Sequence, residues 1–183
     1  MKFSEDMIER QLITAEALQE KVRELAARIN KDYAEEEDII LITLLKGGAI
    51  FAVDLMHHLT VPVEIDFMSV SSYGSSTKTS GVVKVIKDLD VDITGRNVLL
   101  VEDIIDSGLT LSYVRALLLE RKPKDLKICT ILDKPSRRKT NVPVEYVGFE
   151  IPDEFVIGYG LDYAQKFRNL PYIGILKREV YEK

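Results

Sequence analysis

The sequence predicts an α/β fold with a mainly parallel central sheet, and three observations carry that prediction. Short runs of Ile, Leu and Val alternate along the chain with segments of helical periodicity, the pattern of strands joined by crossover helices. Several runs are apolar at nearly every position, as in IILITLL at 39–45, as strands covered on both faces require. The run VLLV at 98–101 meets the acids Glu102 and Asp103, passes Asp106, turns through Ser107-Gly108-Leu109-Thr110 and enters a helical pattern. That unit puts a helix N-terminus at the end of a buried strand.

The elements follow in order. Leu18, Val22, Leu25, Ala26 and Ile29 recur at helical spacing, with Thr14 placed to cap the helix and Glu16 in its first turn. Residues 38–45 read as a buried strand, broken by Lys46-Gly47-Gly48, and 49–59 as a helix. Residues 63–70 and 82–89 alternate as strands, the second with Val83, Val85 and Leu89 on one side. Between them lies SSYGSSTKTSG at 71–81, a hairpin tip long enough to be a functional lid. Residues 98–101 form the central strand, and 110–121 a helix that stops at Lys122-Pro123. Strands are expected at 127–132, 144–149, 155–159 and 172–176. No internal repeat or flexible linker divides the chain, so 1–183 reads as one domain. The tail beyond residue 150 is placed to form a subdomain over the strand ends, where open α/β sheets bind ligands.

Bulk properties narrow the function classes. The net charge of −5 argues against nucleic acid or an anionic membrane as the main partner. The apolar runs are too short to span a bilayer, and MKFSEDMIER has no apolar signal-peptide core. The lone Cys129 sits in the apolar run 128–132, a buried thiol rather than a nucleophile, and fits a reducing cytoplasm. His57 and His58 are adjacent without metal-ligand spacing and read as structural. No Walker or dinucleotide-binding glycine motif is present.

The strand–acid–loop carries the chemistry. Hydroxyls and successive amides at Ser107–Thr110, followed by a helix dipole, suit a dianionic phosphate. A plain strand–helix turn capped by Thr110 would serve for the loop alone but leaves three neighbouring acids unexplained. Carboxylates only accept hydrogen bonds, so Glu102 and Asp103 can hold a vicinal diol, or Mg²⁺ directly or through water. Asp106 beside a phosphate is unfavourable unless it has a task. A general base for a ring N–H, a stabiliser of positive charge and a turn-forming Asx residue all remain open.

VEDIIDSGLT at 101–110 resembles the phosphoribosyl pyrophosphate (PRPP) motif of type I phosphoribosyltransferases, in the form E-D-I-I-D-[ST]-G-x-T of the hypoxanthine-guanine phosphoribosyltransferases. Further matches in family order are LLKGG at 44–48, SSYG at 71–74, LDKPSRR at 132–138 and PDEFVIGYGLDYAQKFRNLP at 152–171. The resemblance implies a type I phosphoribosyltransferase fold: a twisted, mainly parallel sheet flanked by helices, with a core at about 35–150, a small hood from the N-terminal residues and 151–183, and a flexible hairpin loop. It implies Mg²⁺-dependent transfer of 5-phosphoribosyl from PRPP to hypoxanthine or guanine, giving IMP or GMP and pyrophosphate in purine salvage.

The resemblance also assigns residues. Ser107, Gly108, Leu109 and Thr110 would bind the 5′-phosphate, and Glu102 and Asp103 the ribose diol and metal. Asp106 would handle the N7 proton. Lys46, Gly47 and Arg168 would bind pyrophosphate, in a loop whose peptide is often cis in the family. Ser72 and Tyr73 would belong to the lid. Lys134 would donate to the 6-oxo group, Phe155 would stack on the base and Val156 would contact it through its backbone. Asp162 would lie at the base edge and hold a second Mg²⁺. Each has a plainer alternative: a solvated lysine for Lys134, core packing for Phe155, a cap for a helix over 163–167 for Asp162, a solvated helix charge for Arg168. Leu109 departs from relatives with a basic residue there, at a position whose side chain need not touch phosphate. The implied partners are PRPP and a 6-oxopurine, with no nucleic acid or membrane, in a homodimer or homotetramer. A PRPP-sensing regulator is the rival on this fold, but such proteins lose catalytic groups or gain a basic surface. Asp106, Lys134, Phe155 and Asp162 are all present here.

Overall fold

Each apolar run read as a strand folds as one. The computed structural model of the chain describes residues 4–72 and 83–182. In chain order the elements are β1 (Ile8–Ile13), α1 (Ala15–Asp32), β2 (Ile39–Leu44), α2 (Ala49–Met56), β3 (Val63–Ser72), β4 (Val83–Lys87), β5 (Asn97–Ile105), α3 (Leu109–Glu120), β6 (Asp125–Asp133), β7 (Tyr146–Glu150), β8 (Val156–Ile157), β9 (Ile173–Leu176) and α4 (Arg178–Tyr181). Tyr73 and most of the hairpin tip at 71–81 lie outside the described residues.

The main sheet has the order β4-β3-β2-β5-β6-β7. All its pairings are parallel except β3 with β4. β2 is buried at all six positions because it lies between β3 and β5 with helices on both faces. One apolar layer joins α1 and α2 to Leu99 and Val101; the other joins Leu111, Val114 and Leu118 of α3 to Val98 and Leu100. Alternate β5 side chains thus serve opposite layers, as the strand period of two dictates. Thr14 caps α1 as expected, its hydroxyl accepting from Ala17 N at 3.1 Å, and the five predicted apolar positions of α1 are buried.

The chain turns from β2 to β3 on one side and continues through β5 to β6 and β7 on the other. The crevice above β2 and β5 is therefore the topological switch point, where open α/β sheets bind ligands at the carboxyl ends of their strands. Over that side stands a second, antiparallel sheet of order β1-β9-β8, which joins the N-terminal segment to the tail.

Three sequence expectations are corrected. The central strand runs on to Ile105, so Glu102 and Asp103 are strand residues rather than its end. The expected strand at 155–159 is only Val156–Ile157 because Gly158, Tyr159 and Gly160 take positive φ. Residues 163–167 form no helix: Ala164, Gln165 and Phe167 have positive φ, which a right-handed helix excludes. Among the described residues no helix is long and apolar enough to cross a membrane.

Candidate active site

Two strand–loop transitions converge on the crevice. After β2, Lys46, Gly47 and Gly48 turn the chain into α2, and the Leu45–Lys46 peptide is cis. After β5, Asp106, Ser107 and Gly108 lead into α3. Gly108 is the N-cap, in the left-handed region at φ 78°, so it and not Thr110 opens the helix. The Ser107 carbonyl accepts from Lys139 N at 2.9 Å and Thr140 N at 3.4 Å, and the Ser107 hydroxyl accepts from Leu109 N at 3.4 Å. A small cavity of about 120 Å³ lies against Glu102, Ser107, Gly108 and Thr110. Its place at a helix N-terminus suits a phosphate.

The adjacent acids of β5 point to opposite sides. Glu102 is buried in the cavity at the α3 loop, and its Oε1 accepts from Leu44 N at 3.1 Å. Burial pushes its carboxyl well above the usual range; the charge of Asp103 adds to this and the Leu44 amide opposes it. Asp103 lies against the other loop, and a Cβ on Gly47 would stand 1.8 Å from Asp103 Oδ2. Burial pushes Asp103 up to about 6, against the Ile104 amide and the more distant Arg168 guanidinium.

The tail reaches over the same loop. A Cβ on Gly160 would stand 2.2 Å from the Gly47 carbonyl oxygen. Arg168 donates to the Gly160 carbonyl at 2.6 Å and pairs with Asp162 at 2.7 Å. Lys46 Nζ donates to Gln165 Oε1 at 3.1 Å. Lys46, Gly47, Asp162 and Arg168 thus form one group. Asp162 caps no helix; its Oδ2 accepts from Gln165 N at 2.8 Å inside a tight turn. The Arg168 Nε is buried without a hydrogen-bond partner.

A larger cavity of about 460 Å³ gathers Asp106, Lys134, Phe155, Val156 and Asp162. Lys134 is only 5% exposed, which sets aside the solvated-lysine reading; its Nζ donates to the Glu154 carbonyl at 2.6 Å. Burial holds its ammonium below the usual range, against the pull of Asp106 and Asp153. Asp106 Oδ1 is ion-paired with Arg137 Nε at 3.2 Å, in a geometry that makes no hydrogen bond, and Asp106 lines the cavity. Phe155 presents a flat apolar face beside these polar groups. Sequence reasoning assigned no role to Arg137, Arg178 or Tyr181, which also line the cavity. Arg137 stands in the LDKPSRR motif, and that was the one available signal.

The site can hold a phosphate at one loop, a second anion at Lys46, Gly47 and Arg168, and a flat heterocycle with a carbonyl near Lys134 and a ring N–H near Asp106. Among the described residues no cluster of three or more His, Cys, Asp or Glu side chains could hold a metal by itself. Mg²⁺ characteristically takes one or two carboxylates and completes its shell with water and substrate phosphates. Asp103, half-buried beside Gly47, fits that mode of binding.

The phosphoribosyl transferase domain matches residues 10–164. The chain is 55% identical to the hypoxanthine-guanine phosphoribosyltransferase of Bacillus subtilis over 175 residues, 96% of this chain and 97% of that one. It is 54% identical to the hypoxanthine phosphoribosyltransferase of Escherichia coli over 164 residues, 89% of this chain and 92% of that one. The crystal structure of a hypoxanthine phosphoribosyltransferase from Staphylococcus aureus superposes with a TM-score of 0.93 at 46% identity, covering 97% of this chain and 96% of that one. A hypoxanthine-guanine phosphoribosyltransferase structure from Bacillus anthracis does so with a TM-score of 0.89 at 56% identity, covering 93% and 99%. The strand–acid–loop, the Lys46–Gly47–Asp162–Arg168 group and the cavity at Lys134 stand on one crevice, and by these similarities the chain belongs to the phosphoribosyltransferase family, among its hypoxanthine-guanine members.

Proposed function

We infer that the protein is a purine-salvage enzyme that transfers the 5-phosphoribosyl group from PRPP to hypoxanthine or guanine, giving IMP or GMP and pyrophosphate. The observation that carries this reading is the cavity in which a buried lysine, a carboxylate without a hydrogen-bond partner on its Oδ1 and an aromatic ring stand together beside the loop that opens α3. In this reading the 5′-phosphate rests on the amides and hydroxyls of Ser107, Gly108, Leu109 and Thr110. The ribose hydroxyls donate to Glu102 and Asp103. Breaking the anomeric C–O bond gives a sugar with oxocarbenium character. The charge that builds on the leaving pyrophosphate meets Lys46, the amides about Gly47 and the Arg168 guanidinium. Mg²⁺ bound with PRPP would supply further positive charge there, with Glu102 and Asp103 the residues that would hold it and Asp162 the residue that would hold a second ion.

The purine nitrogen attacks C1′ while Asp106 accepts or stabilises the N7 proton. Lys134 donates to the 6-oxo group, Phe155 stacks on the ring and Val156 meets its edge through the backbone. Ser72 and Tyr73 are assigned, on sequence alone, to the cover that keeps water from the ribosyl centre. We read the chain as one domain, with its core at about 35–150 and the tail and N-terminal segment as hood. We place it in the cytoplasm as a homodimer or homotetramer. A spectrophotometric assay with PRPP, Mg²⁺ and each of hypoxanthine, guanine, xanthine and adenine tests the reaction. Turnover is expected with hypoxanthine or guanine and not adenine; a chain that turns over none of them would not be this enzyme.

Two predictions arise from the site. Adenine carries an amino donor where Lys134 needs an acceptor. Losing one charge-assisted hydrogen bond, Lys134→Ala is expected to lower kcat/KM for hypoxanthine roughly 10- to 100-fold. Adenine should lose far less, and an unchanged hypoxanthine-to-adenine ratio would remove Lys134 from purine recognition. The second concerns pH. With its carboxyl up to about 6, Asp103 is mostly ionised at pH 7 and mostly protonated at pH 5. A protonated carboxyl is the poorer acceptor for a diol and the poorer metal ligand, so the KM for PRPP is expected to rise about tenfold over that interval. A flat profile of KM for PRPP between those pH values would show that Asp103 is not at the PRPP site.

A further inference from the structure

Phe155 does not stand alone on the wall of the larger cavity. Its ring stacks on Tyr181 with centroids 4.8 Å apart and an interplanar angle of 27°, and meets Tyr163 edge-on at 5.8 Å and 87°. A planar base between Phe155 and Tyr181 would need two van der Waals contacts, a ring separation of roughly 7 Å. The pair is too close for that. A base that stacks on Phe155 must therefore use its other surface, with Tyr181 behind.

Tyr181 is itself held. It belongs to α4, whose Val180 is buried with Ile157, Phe167 and Leu176. The Tyr163 hydroxyl donates to the Val180 carbonyl at 2.8 Å, and Lys177 N donates to the Met7 carbonyl at 2.9 Å. The Phe155 carbonyl accepts from Leu176 N at 2.8 Å, so the Phe155 backbone is pinned to β9 just before α4. The Phe155 ring is bounded by Tyr181 on one face, with Tyr163 edge-on beside it.

We propose that Tyr181 is a positioning residue for the purine: by stacking on Phe155 it fixes the plane in which a 6-oxopurine lies in the cavity lined by Lys134 and Asp106. The proposal rests on the phosphoribosyltransferase reading above. Aromatic stacking of this kind corresponds to a roughly 3- to 10-fold change in affinity. Tyr181→Ala is expected to raise the KM for hypoxanthine by that factor and leave kcat and the KM for PRPP within about twofold. Tyr181→Phe keeps the ring and restores the wild-type KM. Tyr181→Leu keeps the apolar packing without the flat face; it raises the hypoxanthine KM and decides the matter if Tyr181→Ala does not fold, which thermal melting reads. An unchanged hypoxanthine KM in the folded variants overturns the proposal. So does a joint shift of both KM values and kcat, which would mark a merely structural residue. A fall in hypoxanthine KM also overturns it, because Tyr181 would then occupy the place of the base. Wild-type turnover in the same assays keeps the two readings apart: without it the underlying reading fails and this one with it.

Discussion

Replacing Asp106 with Asn is expected to lower kcat on hypoxanthine by on the order of 10²-fold or more. The substitution keeps the shape of the side chain and removes its charge and its capacity to take a proton. Asp106 is no part of the core: its side chain is 43% exposed and packs in neither sheet layer. Its Oδ1 has no hydrogen-bond partner, is ion-paired with Arg137, and Lys134 lines the same cavity. A carboxylate there can accept from a ring N–H, and an amide in its place turns a donor toward Arg137. Stability should therefore change little, while the chemical step loses its base. Steady-state kcat at saturating PRPP, read beside a melting curve, separates the two. Wild-type kcat in a folded Asp106→Asn protein would end the proton role and leave Asp106 as a turn residue.

The parts of this fold governed by local period were readable, and the parts governed by long-range contact were not. α1 showed itself through Leu18, Val22, Leu25, Ala26 and Ile29 because one face of it is buried. β2 and the start of β5 showed themselves because both faces are covered. β1 left no signal: it is the edge of a three-stranded sheet, three of its six residues are exposed, and it carries no alternation to read. The turn at 163–167 looked helical because its composition allows a helix. A carboxylate at Asp162 that caps Gln165 N and three residues of positive φ settle it otherwise. The site divides along the same line. Residues close in sequence, such as Ser107 to Thr110, could be read as a candidate phosphate loop from chemistry alone. That Glu102 and Asp103 face different loops follows only from the extension of β5 to Ile105. Tyr181 carries no motif, and only packing brings it to Phe155.

Gly47→Ala is expected to cost about as much activity as the loss of the base, by a steric route. Gly47 has an ordinary φ, so an alanine strains no backbone there, and the whole effect falls on what its methyl group meets. That is the Asp103 carboxylate, at 1.8 Å from Oδ2 and 2.8 Å from Cγ. The loop cannot retreat easily. Gly160 leaves no spare room over the Gly47 carbonyl, and Lys46 is held to Gln165. Asp103 sits on the central strand, so its backbone cannot move either, and its side chain must rotate away from the crevice. Overpacking of this kind costs about 1–3 kcal/mol of stability. A displacement of about an ångström at a group that orients substrate costs on the order of 10²-fold in rate. The loss should appear in kcat/KM for PRPP and leave the affinity for IMP nearer wild type at the base end of the site. A double-mutant comparison shows whether the route is the one argued. If Gly47→Ala acts by expelling Asp103, then adding Asp103→Ala to it costs little more, because the carboxylate is already out of place. Losses that multiply would instead mean that the Gly47 loop meets the leaving group by itself, and that the approach of Asp103 to it is packing without consequence for the reaction.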